Sequence, residues 1–185
     1  MRVFGIDPGS ARTGYGCVQT DGSRHRLIDC GAIRIPIAHP FPEKLKTIHA
    51  ELVALLATHH PDCVAIENLF HAVNARSALK LGHARGVAML AAVECGAPIV
   101  EYTPAEVKQA VVGYGRADKS QVQMMVQLLL GLGAPPTPHD ASDALAIAIC
   151  HVHRMNAPGA SQQIESSRPA SRGRATSWRA FRLPR

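Results

Sequence analysis

Two short apolar runs of this sequence each end in a carboxylate, V-F-G-I-D at Asp7 and C-V-A-I-E at Glu67. Apolar runs of this length predict buried strands, and the helix predicted between them makes a parallel crossover the expected connection. Parallel neighbouring strands end at the same edge of a sheet, which is where open α/β sheets bind ligands. We therefore expect Asp7 and Glu67 to face one site, although either acid alone could simply solvate the end of its strand.

The rest of the chain predicts a mixed α/β sheet. Strands are predicted over residues 1–7, 14–20 and 26–35, and the D-G pair at 21–22 predicts a hairpin between the second and third. Helices and strands then alternate, with helices over 43–58, 74–94, 104–112, 119–131 and 138–154 and strands over 63–67 and 98–101. Three antiparallel strands followed by parallel crossovers predict a five-stranded sheet flanked by helices.

A third acidic segment, T-P-H-D-A-S-D-A-L-A-I-A-I, covers residues 137–149. Asp143 falls in a helical stripe that is otherwise apolar, where an unpaired carboxylate is costly. Asp140 lies three residues earlier on the same helical face, but a capping box with Thr137 as N-cap would also explain it. His139 could ligate a metal or act as a base, and an exposed or supporting position is the favoured alternative.

Four carboxylates in one place require a cation, because two unit charges about 4 Å apart repel by roughly 4 kcal/mol at an effective dielectric of 20. Oxygen ligands favour Mg²⁺ or Mn²⁺ over zinc. Two such ions about 3.5–4 Å apart hold the attacking and leaving oxygens in phosphodiester hydrolysis. The sequence therefore predicts a magnesium-dependent nuclease site with two ions, for which Mn²⁺ can substitute.

Composition predicts one nuclease domain over residues 1–155 and a disordered, arginine-rich tail over residues 156–185. The chain has 185 residues, 46% of them hydrophobic, which is enough for one substantial core. Its net charge is +6, but the tail holds six arginines against one acid and carries +5 of it, so the domain itself is nearly neutral.

The five cysteines lack the spacing of a zinc site or a disulfide framework. No signal peptide or membrane span is predicted, so we expect a cytoplasmic protein.

Three motifs together, F-G-I-D-P-G-S-A-R-T-G-Y-G, I-E-N-L-F and D-A-S-D-A-L-A-I-A, resemble the RuvC family of Holliday-junction resolvases over about residues 1–154. The resemblance implies a ribonuclease-H-like fold, a homodimer, Mg²⁺ dependence and symmetrical nicking of two strands at a four-way DNA junction. It gives the catalytic and metal-binding roles to Asp7, Glu67, Asp140 and Asp143, with a shift of one residue exchanging Asp140 for His139. It also suggests RuvA and RuvB as partners, and the tail lies outside it.

The resemblance also implies a DNA-binding surface. It gives Phe70 the role of wedging or stacking against unpaired bases at the junction, whereas the residue alone could equally be a core residue at the rim. Lys108 and Lys119 match basic positions that contact the backbone near the cleaved phosphate. Weaker candidates for phosphate contacts are Arg76, Lys80, Arg85 and Arg116. The arginine tail could add nonspecific DNA affinity or could simply be a solvating extension.

The predicted helix over residues 74–94 carries small residues at a spacing of four, namely Ala78, Gly82 and Gly86. Glycine in a helix costs about 1 kcal/mol relative to alanine, so a close packing partner is expected. That partner could belong to the same chain. The two-fold dimer that the resemblance implies favours a contact between subunits here.

Three other functions are compatible with parts of the pattern. An RNA–DNA hybrid hydrolase shares the fold and the carboxylates, but the small-residue stripe and Phe70 argue against it. A noncatalytic junction-binding protein is disfavoured because all four acids are present. An ATP-binding, sugar-kinase-like domain is suggested by D-P-G-S-A-R-T-G, but 185 residues leave no room for the second lobe that binds the nucleotide.

Overall fold

The computed structural model describes residues 1–36, 38–68 and 74–156. Five strands are present, β1 (Arg2–Asp7), β2 (Arg12–Thr20), β3 (His25–Arg34), β4 (Cys63–Glu67) and β5 (Ile99–Tyr102). Five helices accompany them, α1 (Phe41–His59), α2 (Ala75–Glu94), α3 (Pro104–Val112), α4 (Lys119–Leu129) and α5 (His139–Asn156). None of the helices in these ranges is long and apolar enough to cross a membrane.

The strands form one mixed sheet in the order β3-β2-β1-β4-β5. The first three strands pair antiparallel, whereas β4 pairs parallel with β1 and with β5. The predicted architecture, three antiparallel strands followed by parallel crossovers, is therefore confirmed. The register pairs Ile6 with Ile66, so β1 and β4 end side by side and Asp7 and Glu67 emerge at the same edge.

Helices cover both faces of the sheet, because its central strands are apolar on both sides. Phe4 and Ile6 point to one face, where they pack with buried residues of α1 and α2. Val3 and Val18 point to the other face, where they pack against α3, α4 and α5. Helix α5 is the most deeply buried helix, with every residue from Ala144 to Val152 buried.

Two glycines allow α5 to lie directly against the sheet. A Cβ atom added to Gly5 on β1 would lie 2.0 Å from the carbonyl oxygen of Ala144. One added to Gly14 on β2 would lie 2.0 Å from the carbonyl oxygen of Asp140. Real Cβ atoms do not approach backbone oxygen so closely, so only glycine fits at these points. The first turns of α5, which carry Asp140 and Asp143, are thereby fixed against the strand ends.

The start of α5 differs from the prediction. The helix begins at His139, and the Ala141 amide donates to the Pro138 carbonyl at 3.0 Å. Thr137 is thus too early in the chain to be the N-cap, and the expected capping box is wrong. The helix also extends to Asn156, two residues beyond its predicted end. Residues 157–185, the rest of the predicted tail, lie outside the described residues.

We expect Gly5→Ala to lower the free energy of unfolding by about 1–3 kcal/mol or more, the usual range for overpacking a core. The added methyl group must push α5 away from β1. Gly133→Ala is the matched control, because a Cβ there meets no atom within 4 Å. Denaturant unfolding of the two variants measures the difference, and equal stability would contradict the proposed close contact.

Candidate active site

Three of the four predicted acids line one cavity at the carboxyl edge of the sheet. Asp7 comes from the end of β1, Glu67 from the end of β4 and Asp143 from α5. The cavity has a volume of about 360 Å³. Its remaining lining comes from two lysines and an apolar wall, namely Lys108, Lys119, Pro104, Val107, Val122, Ala146 and Ile147.

Burial makes this carboxylate cluster electrostatically unfavourable. Removal from water, followed by the negative charges of Glu67 and Asp143, raises the pKa of Asp7 to about 8. Burial also raises the pKa of Glu67. A hydrogen bond between the two carboxyl groups raises the pKa of Asp7 and lowers that of Glu67. Burial and mutual repulsion therefore favour a proton on the pair, and a cation bound here would displace that proton.

Two lysines supply positive charge to the cavity, and each is placed by a well-capped helix. Lys119 is the first residue of α4, after an Asp118–Gln121 capping box. Its ammonium group donates to the Asp143 carboxylate at 2.9 Å, and this hydrogen bond raises the pKa of Lys119. Lys108 lies on α3, which begins with a capping box formed by Thr103 and Glu106.

The donor set fits a hard divalent cation, since carboxylate oxygens are the ligands that Mg²⁺ and Mn²⁺ prefer. As the side chains stand, however, no three His, Cys, Asp or Glu residues of the described ranges converge closely enough to hold an ion. The Asp143 carboxylate instead pairs with the Lys119 ammonium group at 2.9 Å. The residue types therefore suit a divalent cation, and the three carboxylates must move closer together to bind one.

Asp140 lies apart from the other three acids. Its carboxylate is absent from the cavity lining and stands 3.8 Å from the Arg12 guanidinium group. His139 beside it is exposed. Sequence reasoning did not single out Arg12, because an arginine beginning a strand carries no signal until the sheet and α5 come together.

The weaker candidates for phosphate contacts differ in their exposure and in the side chains that they contact. Arg76 and Arg116 are exposed, and the Lys80 ammonium group lies 5.9 Å from the centre of the Phe41 ring. The guanidinium group of Arg85 pairs with Glu101 and donates to the Glu67 carbonyl at 3.4 Å. Phe70 lies outside the described residues.

The small-residue stripe of α2 faces outward. A Cβ atom added to Gly82 or Gly86 would meet no atom within 4 Å. The stripe lines an open, mostly apolar groove of about 750 Å³ that also includes Leu79 and Leu90, both more than half exposed. Packing within the same chain therefore does not explain these glycines in the described part of the protein.

Comparison with known proteins gives consistent matches. The family described as Crossover junction endodeoxyribonuclease RuvC matches residues 3–151. The protein of that name from Alkaliphilus oremlandii is 53% identical, and the alignment covers 84% of this chain and 95% of the relative. The one from Pelobacter propionicus is 51% identical over 182 residues, covering 98% of this chain and 99% of the relative. That alignment extends into the tail, which the three motifs alone leave outside the resemblance.

A solved structure agrees with these sequences. T. thermophilus RuvC in complex with Holliday junction substrate superposes with a TM-score of 0.77 at 35% identity, and the match covers 84% of this chain and 95% of that chain. The resemblance inferred from the three motifs is thus confirmed in sequence and in fold. The chain belongs to the RuvC family.

Proposed function

We propose that this protein is a structure-selective DNA endonuclease that resolves four-way junctions by paired symmetrical nicks during recombination and repair. The observation that carries the proposal is the cavity in which Asp7, Glu67 and Asp143 meet Lys108 and Lys119. Carboxylates that require a cation, next to lysines that can bind phosphate, suit hydrolysis of a phosphodiester bond. The T. thermophilus relative in complex with a Holliday junction supplies the substrate class.

Mg²⁺ is the proposed cofactor, with two ions per site and Mn²⁺ able to substitute. Asp7, Glu67 and Asp143 would hold it, and Asp140 would complete the set from the rim. When bound, such ions lower the pKa of a water molecule and neutralise charge on the phosphate. Asp7 must first release its proton, because burial keeps its carboxyl group protonated up to about pH 8.

The two lysines would bind a phosphate of the DNA backbone beside the metal-binding acids. Once Lys119 leaves Asp143, its ammonium group is free to pair with a phosphate oxygen at the mouth of the cavity. Lys108 already lies at the cavity wall, where its charge partly opposes the rise that burial causes in the pKa of Glu67. Arg76, Lys80 and Arg116 would make peripheral phosphate contacts, and Phe70 would stack on bases at the junction.

A homodimer is part of the proposal, because two symmetrical nicks need two active sites related by a two-fold axis. The outward groove of α2, with Ala78, Gly82 and Gly86, is the proposed contact. A second copy would remove the exposed Leu79 and Leu90 from water, and the glycines would let the two helices approach closely. RuvA and RuvB remain the proposed branch-migration partners.

We expect the protein with Mg²⁺ to cut a four-way junction in preference to a linear duplex or an RNA–DNA hybrid. Asp7→Asn should reduce the rate at least about 100-fold, since loss of a metal ligand removes several kcal/mol of transition-state stabilisation. Asp21→Asn, at the hairpin on the opposite edge of the sheet, is the control. Preferential hybrid cleavage would favour the alternative hydrolase, and binding without cleavage would favour a noncatalytic junction-binding protein.

The buried acids also predict a pH dependence of stability without metal. The pKa of Asp7 is raised in the folded state from 3.8 to about 8, so folding favours its protonated form. The stability that this raised pKa contributes is therefore fully present below about pH 4 and is lost as the pH rises through 8. In chelator, stability should fall over this window, and Asp7→Asn should remove much of the fall. The free energy of unfolding of each protein is measured by denaturant unfolding at several pH values. If it changes with pH equally in the two proteins, Asp7 is not protonated in the folded state.

The dimer can be tested with two equally exposed leucines. Leu79 in the α2 groove is 64% exposed and Leu128 on α4 is 66% exposed. Leu79→Glu should raise the dimer dissociation constant at least about tenfold, because burying a leucine contributes about 1.5–3 kcal/mol. Leu128→Glu should leave it unchanged. Sedimentation equilibrium measures both, and equal behaviour of the two variants would place the interface elsewhere.

A further inference from the structure

Two arginines stand directly opposite each other at the catalytic edge of the sheet. Arg12 begins β2 and Arg34 ends β3, and the antiparallel register makes them partners. Both are exposed. The same edge carries Asp7, which pairs with Gly14, two residues along β2 from Arg12. From β3 to β4 the edge therefore carries Arg34, Arg12, Asp7 and Glu67 in order.

Both side chains lie on the face of the sheet that α5 covers. Alternation along β2 places Arg12 on the same face as Gly14, whose Cα faces the Asp140 carbonyl. Arg34 shares that face because cross-strand partners point the same way. The Arg12 guanidinium group stands 3.8 Å from the Asp140 carboxylate, so the two arginines flank the N-terminus of α5.

Among the described residues, no close acid balances the charge of this pair. Like charges directly opposite in an antiparallel pair are destabilising. Within the described ranges, Asp140 is the one carboxylate that lies within 4 Å of either guanidinium group. That contact is long and the Arg12 side chain is 64% exposed, so solvent screens most of its benefit. Two arginines on paired positions, with one distant acid, suit an anion with several oxygens.

The position of the pair indicates which anion it binds. Lys108 and Lys119 bring positive charge to the α3 and α4 side of the acids, whereas Arg12 and Arg34 lie on the β2 and β3 side. Adjacent strands are about 4.8 Å apart, so the two arginine strands lie about 5 and 10 Å from the strand of Asp7. With roughly 3.4 Å of helix rise per nucleotide, this places them about one to three nucleotides from a phosphate held at Asp7.

We propose that Arg12 and Arg34 form a phosphate clamp that binds the DNA backbone beside the cleaved bond, on the side of the cavity opposite Lys108 and Lys119. The inference rests on the proposed nuclease function and adds a path for the DNA strand. The strand crosses the N-terminus of α5, with the reacting phosphate at the acids and its neighbours at the arginines. The clamp positions DNA and reads no base.

The test is the salt dependence of junction binding by the full chain in chelator, where no cleavage occurs. Each phosphate contact contributes a slope of about 0.9 to the fall of log affinity with log salt. Arg12→Gln and Arg34→Gln should each reduce the slope by about 0.9. From 50 to 200 mM salt, the affinity of the double variant should therefore fall about 12-fold less than that of the original protein. Arg12→Lys and Arg34→Lys keep the charge and should keep most of the slope.

Arg26→Gln is the matched control, because Arg26 is also exposed on β3 but pairs with Gln19 at the opposite edge of the sheet. An unchanged slope in both glutamine variants, or an equal loss in Arg26→Gln, would overturn the clamp. So would an Arg12→Gln variant that loses only cleavage rate, since Arg12 would then act on Asp140 alone. Junction cleavage by the original protein with Mg²⁺ is measured in parallel. If that fails, the proposed function fails whatever the arginines do.

Discussion

The contact between α5 and the first two strands is the constraint on which the site depends. Asp143 can meet Asp7 and Glu67 only because the helix backbone rests on the sheet at Gly5 and Gly14, with no side chain in between. Residues Ala144 to Val152 of α5 are buried, so the helix cannot move away without opening the core that it shares with α3 and α4. The core thus holds three acids around one cavity, which their charges alone would oppose.

The electrostatic cost of that arrangement explains the rest of the site. Asp7 keeps a proton and shares it with Glu67, while Asp143 takes the ammonium group of Lys119. In the proposed function, the proton of Asp7 and the ammonium group of Lys119 would both give way to a metal ion, and Lys119 would then pair with a phosphate.

Arg85 shows how the neighbouring elements support this edge. Its guanidinium group joins α2 to β5 through Glu101 and to the end of β4 through the Glu67 carbonyl. The helix that presents the outward groove is thereby tied to the strand that carries Glu67. In the proposed dimer, the two subunits would meet on an element that directly contacts each active site.

The sequence by itself determined the order of the helices and strands, and it identified three of the acids that line the cavity. The apolar runs that end at Asp7 and Glu67 predict buried strands, and Asp143 interrupts an apolar helical stripe. Local sequence patterns were therefore sufficient to identify these three acids. At α5 the preference of threonine for N-caps suggested Thr137 as the cap of a helix from residue 138, whereas the helix begins at His139. Local preferences there are weaker than the packing of α5 on the sheet.

Only the tertiary structure decided how charges pair across distant segments. Nothing in the sequence joins Lys119 to Asp143, Arg85 to Glu101 or Arg12 to Asp140, because each pair lies on different elements. It was the sheet register that set Arg12 opposite Arg34, and the close packing of α5 that left Asp140 at the rim. Hydrophobic periodicity is a property of neighbours in sequence, whereas electrostatic pairing depends on distances that exist only after folding.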